Sequence, residues 1–525
     1  MKRLLQVGSM SQAMGVYVSA SVAGKAVGFG RTLAFAYLLA HAPQQYNVWA
    51  IGSMLFGWAS SALCLGANHG LARYVSVYQA RGELWAFYRR VAPFLLILPV
   101  VLVLPALLAA WPLAAALVAQ PAQGVQPIDI HIVQLSLANG VLLALFVEMT
   151  GLMYGLRTYR LSAVVELVFA VLFTVVAMVW LKLTGSGLDL LWAHLACLGV
   201  MLASGLMLVH RAVRLHAGDG EGSGEGVSPA VEAPSSSRPV ASALGSHERP
   251  EGITSASVPA PMEHALRGLL FFGMPALGGQ LAWQAAPFVS YYLVNRYLGA
   301  ESAGVFALWM LLAQIVSFAA NAAWQVLYSH VARRHADNPG DAMAQLQTSY
   351  KLLALLALAA SVAIYVSRPI WSLVLPVGFR SGQDLLGGLL MLYAAMTQLA
   401  ILTITARLKD QPLVTGLAAL AGGAVSAALA MWWLPTHGAI GAAWAAGIGM
   451  LTGGSAVAIA WFALGRVRLN LGTWVVLLSP AILLAGPVGS GVLALGLMAA
   501  ATLTTLVFSH EEKVAVWQRI RGCHG

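Results

Sequence analysis

SASVAGKAVGFGRTLAFAYLL, residues 19–39, is long and apolar enough to cross a bilayer, yet it carries Lys25 and Arg31 with no acidic residue beside them. A membrane-spanning helix needs about 20 mostly apolar residues. A cation near its centre costs at least about 2.5–3.5 kcal/mol, so such residues face a protein interior or a water-filled cavity. The stretch therefore implies a membrane helix whose polar face is turned inward.

Similar apolar runs recur to the end of the chain. Of its 525 residues, 59% are hydrophobic and 9% charged, and mean hydropathy is +0.78. Soluble domains hold roughly 25% charged residues. An all-α polytopic membrane protein is expected, because a β-barrel would show short alternating segments instead. The leading MKRLL resembles the start of a signal peptide, but the apolar run behind it is too long and more spans follow, so it reads as an uncleaved first helix. About 14 spans are predicted: 11–39, 46–68, 91–116, 132–154, 161–182, 189–210, 268–297, 303–326, 351–375, 385–406, 412–434, 438–463, 473–487 and 489–508.

Loop charge alternates. With the N-terminus inside, the outer loops hold Lys182, Arg368 and Arg380, and the spans hold Lys25, Arg31 and Arg296. All the others of the 29 basic residues fall on the inner side, including Arg89, Arg90, Arg333, Arg334 and Lys351. This positive-inside bias predicts a multi-pass inner-membrane protein with both termini cytoplasmic. It also accounts for the net charge of +10 without nucleic acid.

Residues 217–263, rich in Gly, Ser, Pro and Glu, have no helical period and read as a disordered cytoplasmic linker. Around it the chain repeats: QYNVWAI at 45–51 aligns with SAGVFAL at 302–308, and LKLTGSGLDLLWAHL at 181–195 with LPTHGAIGAAWAAGI at 434–448. Six spans per half give both halves the same orientation around a central cavity. The expected division is an N-lobe over 1–210, the linker over 211–266, a C-lobe over 267–463, and a final helix pair with a tail over 464–525.

LLAHAPQQYNVWAIGSML (38–55), LGANHGLARYVSVYQARGE (65–83), FFGMPALGGQL (271–281), RYLGAESAGVFAL (296–308) and LPTHGAIGAAWAAGIGM (434–450) together resemble the Wzx-type polysaccharide exporters. These belong to the multidrug/oligosaccharidyl-lipid/polysaccharide (MOP) exporter superfamily, with the MurJ-type flippases and the MATE drug exporters. The long linker departs from that pattern. The resemblance implies a flippase working by alternating access, not an enzyme. Its implied cargo is an undecaprenyl-diphosphate-linked oligosaccharide for exopolysaccharide, capsule or O-antigen, moved from the cytoplasmic to the periplasmic leaflet. Its implied partners are membrane lipids, a polysaccharide polymerase and a chain-length regulator. The alternatives are a polymerase or ligase of the same pathway and a MATE-like drug or cation exporter. Short outer loops at 120–131 and 368–384 speak against the first, and basic rather than acidic intramembrane residues against the second.

Arg and Lys suit a diphosphate, so Arg31, Lys25 and Arg296 are candidate cargo ligands. Lys25 and Arg31 stand roughly 120° apart around their helix. Asn68, His69 and Arg73, where the second span leaves the membrane, are candidates for receiving the cargo. Gln280, Gln284, Asn321 and Gln325 are candidates for bonding sugar hydroxyls. Each has an ordinary alternative in snorkelling, interfacial anchoring or interhelical hydrogen bonding. Glu148 and Glu166 are candidate coupling carboxylates, although Glu166 lies close enough in sequence to Arg160 to pair with it. The three cysteines (Cys64, Cys197, Cys523) suggest no disulfide or metal site. No G-x-x-x-x-G-K-[ST] or H-E-x-x-H motif occurs, so neither metal nor other cofactor is expected, and energy would come from an ion gradient or the membrane potential.

Overall fold

The chain is known from a computed structural model. It describes the backbone of residues 10–67, 71, 74–75, 78–79, 82–108, 130–156, 158–218, 265–409, 411, 413–465, 469–514 and 517, with most of their side chains. These residues are helical almost throughout, as a chain in lipid requires: each peptide group must find its hydrogen bond within its own segment.

The N-terminal half comprises α1 (Met10–Leu38), α2 (Pro43–Leu63), α3 (Leu84–Leu108), α4 (Ile130–Gly155), α5 (Tyr159–Thr184) and α6 (Gly187–Gly218). α1 packs on α5, α2 on α4, and α6 on both α4 and α5. The next helix, α7 (Ala265–Asp337), is two helices joined at Gly299 (φ 87°, ψ 173°), at the place where the sequence separates spans at 297 and 303. It leads into α8 (Pro339–Val366) and the short α9 (Arg368–Val374). A 3-10 segment (Val377–Leu385) precedes α10 (Leu386–Gln398) and α11 (Ala400–Leu408).

α12 (Leu413–Gly449) breaks similarly at Gly438, within the turn predicted between 434 and 438. It passes through a π-helical turn (Met450–Gly454) into α13 (Ser455–Leu464). α14 (Leu471–Leu478), a 3-10 segment (Ser479–Ala485) and α15 (Gly486–Leu503) form the final pair. Nine helical runs among the described residues are apolar and long enough to cross a membrane. Large apolar side chains such as Ile97, Val179, Leu183, Leu356 and Leu495 stand exposed on their outer faces, as lipid-facing positions would.

One expectation changes. α6 runs on to Gly218, so residues 211–218 are helix rather than linker; the remainder up to 264 lies outside the described residues. Lys351, one of the basic residues placed on the inner side, is buried. It is 1% exposed inside α8 and donates from Nζ to both carboxylate oxygens of Glu512, at 2.7 and 2.8 Å. Thr348 on α8 and Asn470 ahead of α14 also donate to Glu512. This clasp ties the segment after α15 to the C-terminal lobe. Burial pushes the Glu512 carboxyl up, but the hydrogen bonds from Lys351, the Ser509 backbone and Thr348, with the Lys351 charge, outweigh it and hold the carboxyl below its ordinary value.

At one end of α2 the chain turns through Leu65 and Gly66, both with positive φ (45° and 73°). Gly66 lies so close to α7 that a methyl group there would sit 2.0 Å from the Gly273 carbonyl oxygen. Gly82 has the same left-handed φ in open space. A residue with a Cβ pays roughly 1–2 kcal/mol for that conformation at either place, and only at Gly66 does it also collide with backbone. Gly66→Ala should therefore lower the thermal unfolding midpoint in detergent clearly more than Gly82→Ala; equal shifts would contradict this close approach. Glu512→Gln leaves a buried ammonium without its counter-charge, a change costing up to about 3–5 kcal/mol. Because the Glu512 carboxyl is depressed on folding, its stabilisation is present above the ordinary carboxylate value near about 4.3. It is lost as pH falls through the lower folded value. The gap in unfolding midpoint between wild type and Glu512→Gln should be full at pH 7 and shrink toward pH 3; a gap independent of pH would refute the ionised clasp.

Candidate functional site: the cavity between the lobes

α2 contributes one wall of the interface between the two halves, and the first part of α7 the other. Three sets of neutral contacts join them. At the end holding the 39–42 turn, Asn47 Nδ2 donates to Asn295 Oδ1 at 3.0 Å, and the Tyr291 hydroxyl donates to Asn47 Oδ1. All three residues are buried. There, too, a methyl group on Gly304 would lie 2.2 Å from the Pro43 carbonyl oxygen, so the backbones touch. Halfway along, Gln280 and Gln284 donate to Ser61 Oγ at 3.3 and 3.0 Å. At the far end Gly66 meets Gly273.

Beside this seam lies a cavity of about 360 Å³. α2 lines it with Ala50, Ser53, Met54, Gly57 and Trp58. The first part of α7 adds Trp283, Gln284, Pro287 and Phe288. The second part adds Ala307, Met310, Leu311, Gln314 and Ser317, and α10 closes the wall with Tyr393, Met396 and Thr397. Trp58 and Phe288 face each other across the seam, with ring centroids 4.8 Å apart. No Asp, Glu, Lys or Arg is among the described lining residues.

That neutral lining differs from the cationic cavity the sequence suggested, because the charged candidates lie elsewhere. Arg31 points into the N-terminal lobe, where its guanidinium stacks 4.4 Å above the Phe173 ring on α5. Such a cation–π contact is worth about 2 kcal/mol or more when desolvated, which offsets part of the cost of holding this cation in the lobe. Lys25 is exposed on α1 and interacts electrostatically with Glu166 on α5. Arg296 is exposed, donates to the Tyr292 hydroxyl at 3.3 Å and lies over the Tyr297 ring.

Glu166 accepts from the Tyr154 hydroxyl at 2.7 Å and from Ser162 at 3.2 Å, and not from Arg160, whose buried Nε has no partner. Glu148 is 2% exposed on α4, and neither carboxylate oxygen has a hydrogen-bond partner. A carboxylate so placed is costly. Of the amide candidates, Gln284 lines the cavity and Gln280 lies beside it on Ser61. The side chains of Asn321 and Gln325, on α7, and all of Asn68, His69 and Arg73 lie outside the described residues.

Several residues escape a reading of the sequence. His194 on α6 is stacked on Phe56 at 4.5 Å and set edge-on to Phe173 at 4.8 Å. Its Nδ1 lies 2.7 Å from Asn139 Oδ1. The Asn139 amide nitrogen donates to the Leu135 and Leu191 carbonyls, so Oδ1 is the acceptor and His194 Nδ1 carries the proton. Asn139 and His194 share one signal, a polar side chain inside an apolar run, and the cavity residues Ser53, Trp58, Gln314 and Thr397 are weaker cases of it, whereas Asn47 follows the polar Gln44 and Gln45 and does not stand out.

With this geometry, the chain resembles solved transporters over most of its length. It superposes on a MOP-superfamily transporter from Pyrococcus furiosus, whose binding pocket is described as having reverse polarity, with a TM-score of 0.60 at 14% identity, covering 90% of this chain and 98% of that one. An outward-facing multidrug resistance MATE transporter matches with a TM-score of 0.57 at 15% identity, over 89% and 99%. A MATE protein in complex with MaL6 matches at 0.57 and 12%, over 89% and 99%. The chain shares the fold of these transporters. No family model and no curated protein matches the chain. Within that fold, the absence of charge among the described cavity residues and the aromatic-walled Arg31 of the N-terminal lobe are features of this chain's own residues.

The seam yields a direct test. Asn47→Leu removes the donor to Asn295 Oδ1 and leaves the Tyr291 hydroxyl only its long 3.5 Å contact with the backbone carbonyl of residue 47. Each buried polar group so stranded costs about 1–3 kcal/mol in soluble proteins, and rather less in membranes. The substitution should lower the unfolding midpoint more than Tyr291→Phe, which removes one donor; the reverse order would show that Asn47 is not the centre of the contact.

Proposed function

We propose that the protein is a flippase that carries an undecaprenyl-diphosphate-linked oligosaccharide from the cytoplasmic to the periplasmic leaflet by alternating access, for cell-surface polysaccharide. The observation that carries this reading is the cavity between the lobes, which combines aromatic faces with neutral hydrogen-bonding groups and has no carboxylate among its described lining residues. Sugar rings present apolar faces to stack on Trp58, Trp283 or Phe288 and hydroxyls to bond to Ser53, Gln284, Gln314 or Thr397. A cation exporter would need a carboxylate in that wall to offset the desolvation of its cargo. The likeness of fold to MOP transporters supports transport rather than an enzymatic role.

On this reading the protein sits in the inner membrane with both termini cytoplasmic, beside a polymerase and a chain-length regulator. An ion gradient or the membrane potential supplies the energy, and Glu148 is the carboxylate assigned to coupling.

One feature favours a second reading. Met54, Met310 and Met396 give the cavity a soft, adaptable wall, as export of an uncharged lipophilic compound in the manner of MATE proteins would require. Depletion of the protein separates the two. A flippase predicts that the lipid-linked glycan accumulates, protected from externally added enzymes, in the cytoplasmic leaflet. Accumulation of unpolymerised glycan in the outer leaflet would refute it in favour of a polymerase. Unchanged glycan with increased sensitivity to lipophilic compounds would favour the exporter.

A further inference from the structure

We infer that the cavity between the lobes receives an uncharged, short glycan and discriminates against acidic sugars. The inference rests on the flippase reading and names the class of sugar that the site accepts. Three observations carry it.

The first is the chemistry of the wall. Its polar groups among the described residues are hydroxyls and carboxamides: Ser53, Gln284, Gln314, Ser317, Tyr393 and Thr397. These can exchange hydrogen bonds with sugar hydroxyls, but none supplies the full positive charge that a uronate or a phosphate needs when it leaves water. The second is where the cations are. The Arg31 guanidinium is committed to the Phe173 face inside the N-terminal lobe, Lys25 interacts with Glu166, and Arg296 stands exposed with Tyr292 and Tyr297. None of them lines the cavity. The third is size. At about 360 Å³ the cavity lies at the small end of ligand sites, which run to roughly 1,000 Å³. That is room for a short glycan and not for a long one.

Gln314 is the position that tests this. It lies on the cavity wall from the second part of α7 and is not one of the partners in the Ser61–Gln284 contact. The probes are short-chain polyprenyl-diphosphate trisaccharides, identical except that the terminal sugar is glucose in one and glucuronate in the other. Binding to the full-length protein in lipid nanodiscs is measured by equilibrium dialysis. The glucose probe is expected to bind about tenfold or more tightly than the glucuronate probe, a difference of about 1.4 kcal/mol. Gln314→Lys should narrow or reverse that preference by bringing a cation to the wall, and Gln314→Glu should widen it.

Equal binding of the two probes by the wild type overturns the inference, as does failure of the glucose probe to bind. A preference that moves in the same direction in both well-folded Gln314 variants also overturns it. The outcomes stay separate from those for the function. Selective binding of the glucose probe without translocation in reconstituted vesicles would refute the flippase and leave the cavity's specificity standing. Translocation of both probes at the same rate would leave the flippase standing and refute the specificity.

Discussion

The contact between α2 and the first part of α7 is built from neutral hydrogen bonds and bare backbone. Asn47, Tyr291 and Asn295 satisfy one another at one end, Ser61 joins Gln280 and Gln284 in the middle, and Gly66 touches Gly273 at the other. Much of the rest follows from this seam. Its small residues let the lobes approach closely. Its polar side chains need partners across the interface, because lipid offers none. Where the seam opens beside Trp58 and Phe288, the same kinds of side chain line a cavity in place of a contact.

Charge is handled separately, inside the lobes. Arg31 rests on Phe173, Glu166 is held by Tyr154 and Ser162, and Lys351 closes on Glu512. Each of these ties together elements of a single half: α1 to α5, α4 to α5, and α8 to the segment following α15. None of these charged contacts crosses between α2 and α7.

The fold was legible in the sequence because lipid makes hydropathy and loop charge decisive. The breaks at Gly299 and Gly438 fall where the apolar runs were divided, and the end of α13 at Leu464 lies next to the predicted limit. The site was far less legible. Spacing placed Arg31 inside the membrane, but which side of α1 meets α5 depends on Phe173, more than a hundred residues away. Sequence proximity suggested Arg160 for Glu166, whereas the side chains that reach it are Tyr154, across the helix interface, and Ser162, one turn back. The cavity draws a few residues from each of three helices, and each of those residues is unremarkable within its own run. Among the predicted ligands whose side chains are described, Gln284 lines it.

The division between charged lobes and a neutral seam has an energetic meaning. Breaking a buried ion pair strands a charge and costs several kcal/mol, about 3–5 when one partner is removed. A neutral hydrogen bond contributes only about 0.5–1.5 kcal/mol net, because water or a ligand hydroxyl can replace the lost partner. If the lobes move relative to each other, α2 and α7 must exchange partners while α1–α5 and α8–Glu512 keep theirs. The strong contacts then hold each lobe rigid, and the weak ones lie where a ligand can compete for them. A sugar hydroxyl bonded to Gln284 would take the place of Ser61, so cargo entry and loosening of the seam would draw on the same hydrogen bonds. A ligand shifts such an equilibrium only by its difference in affinity for the two states. Gln284, which belongs to both the seam and the cavity wall, is where that difference would arise.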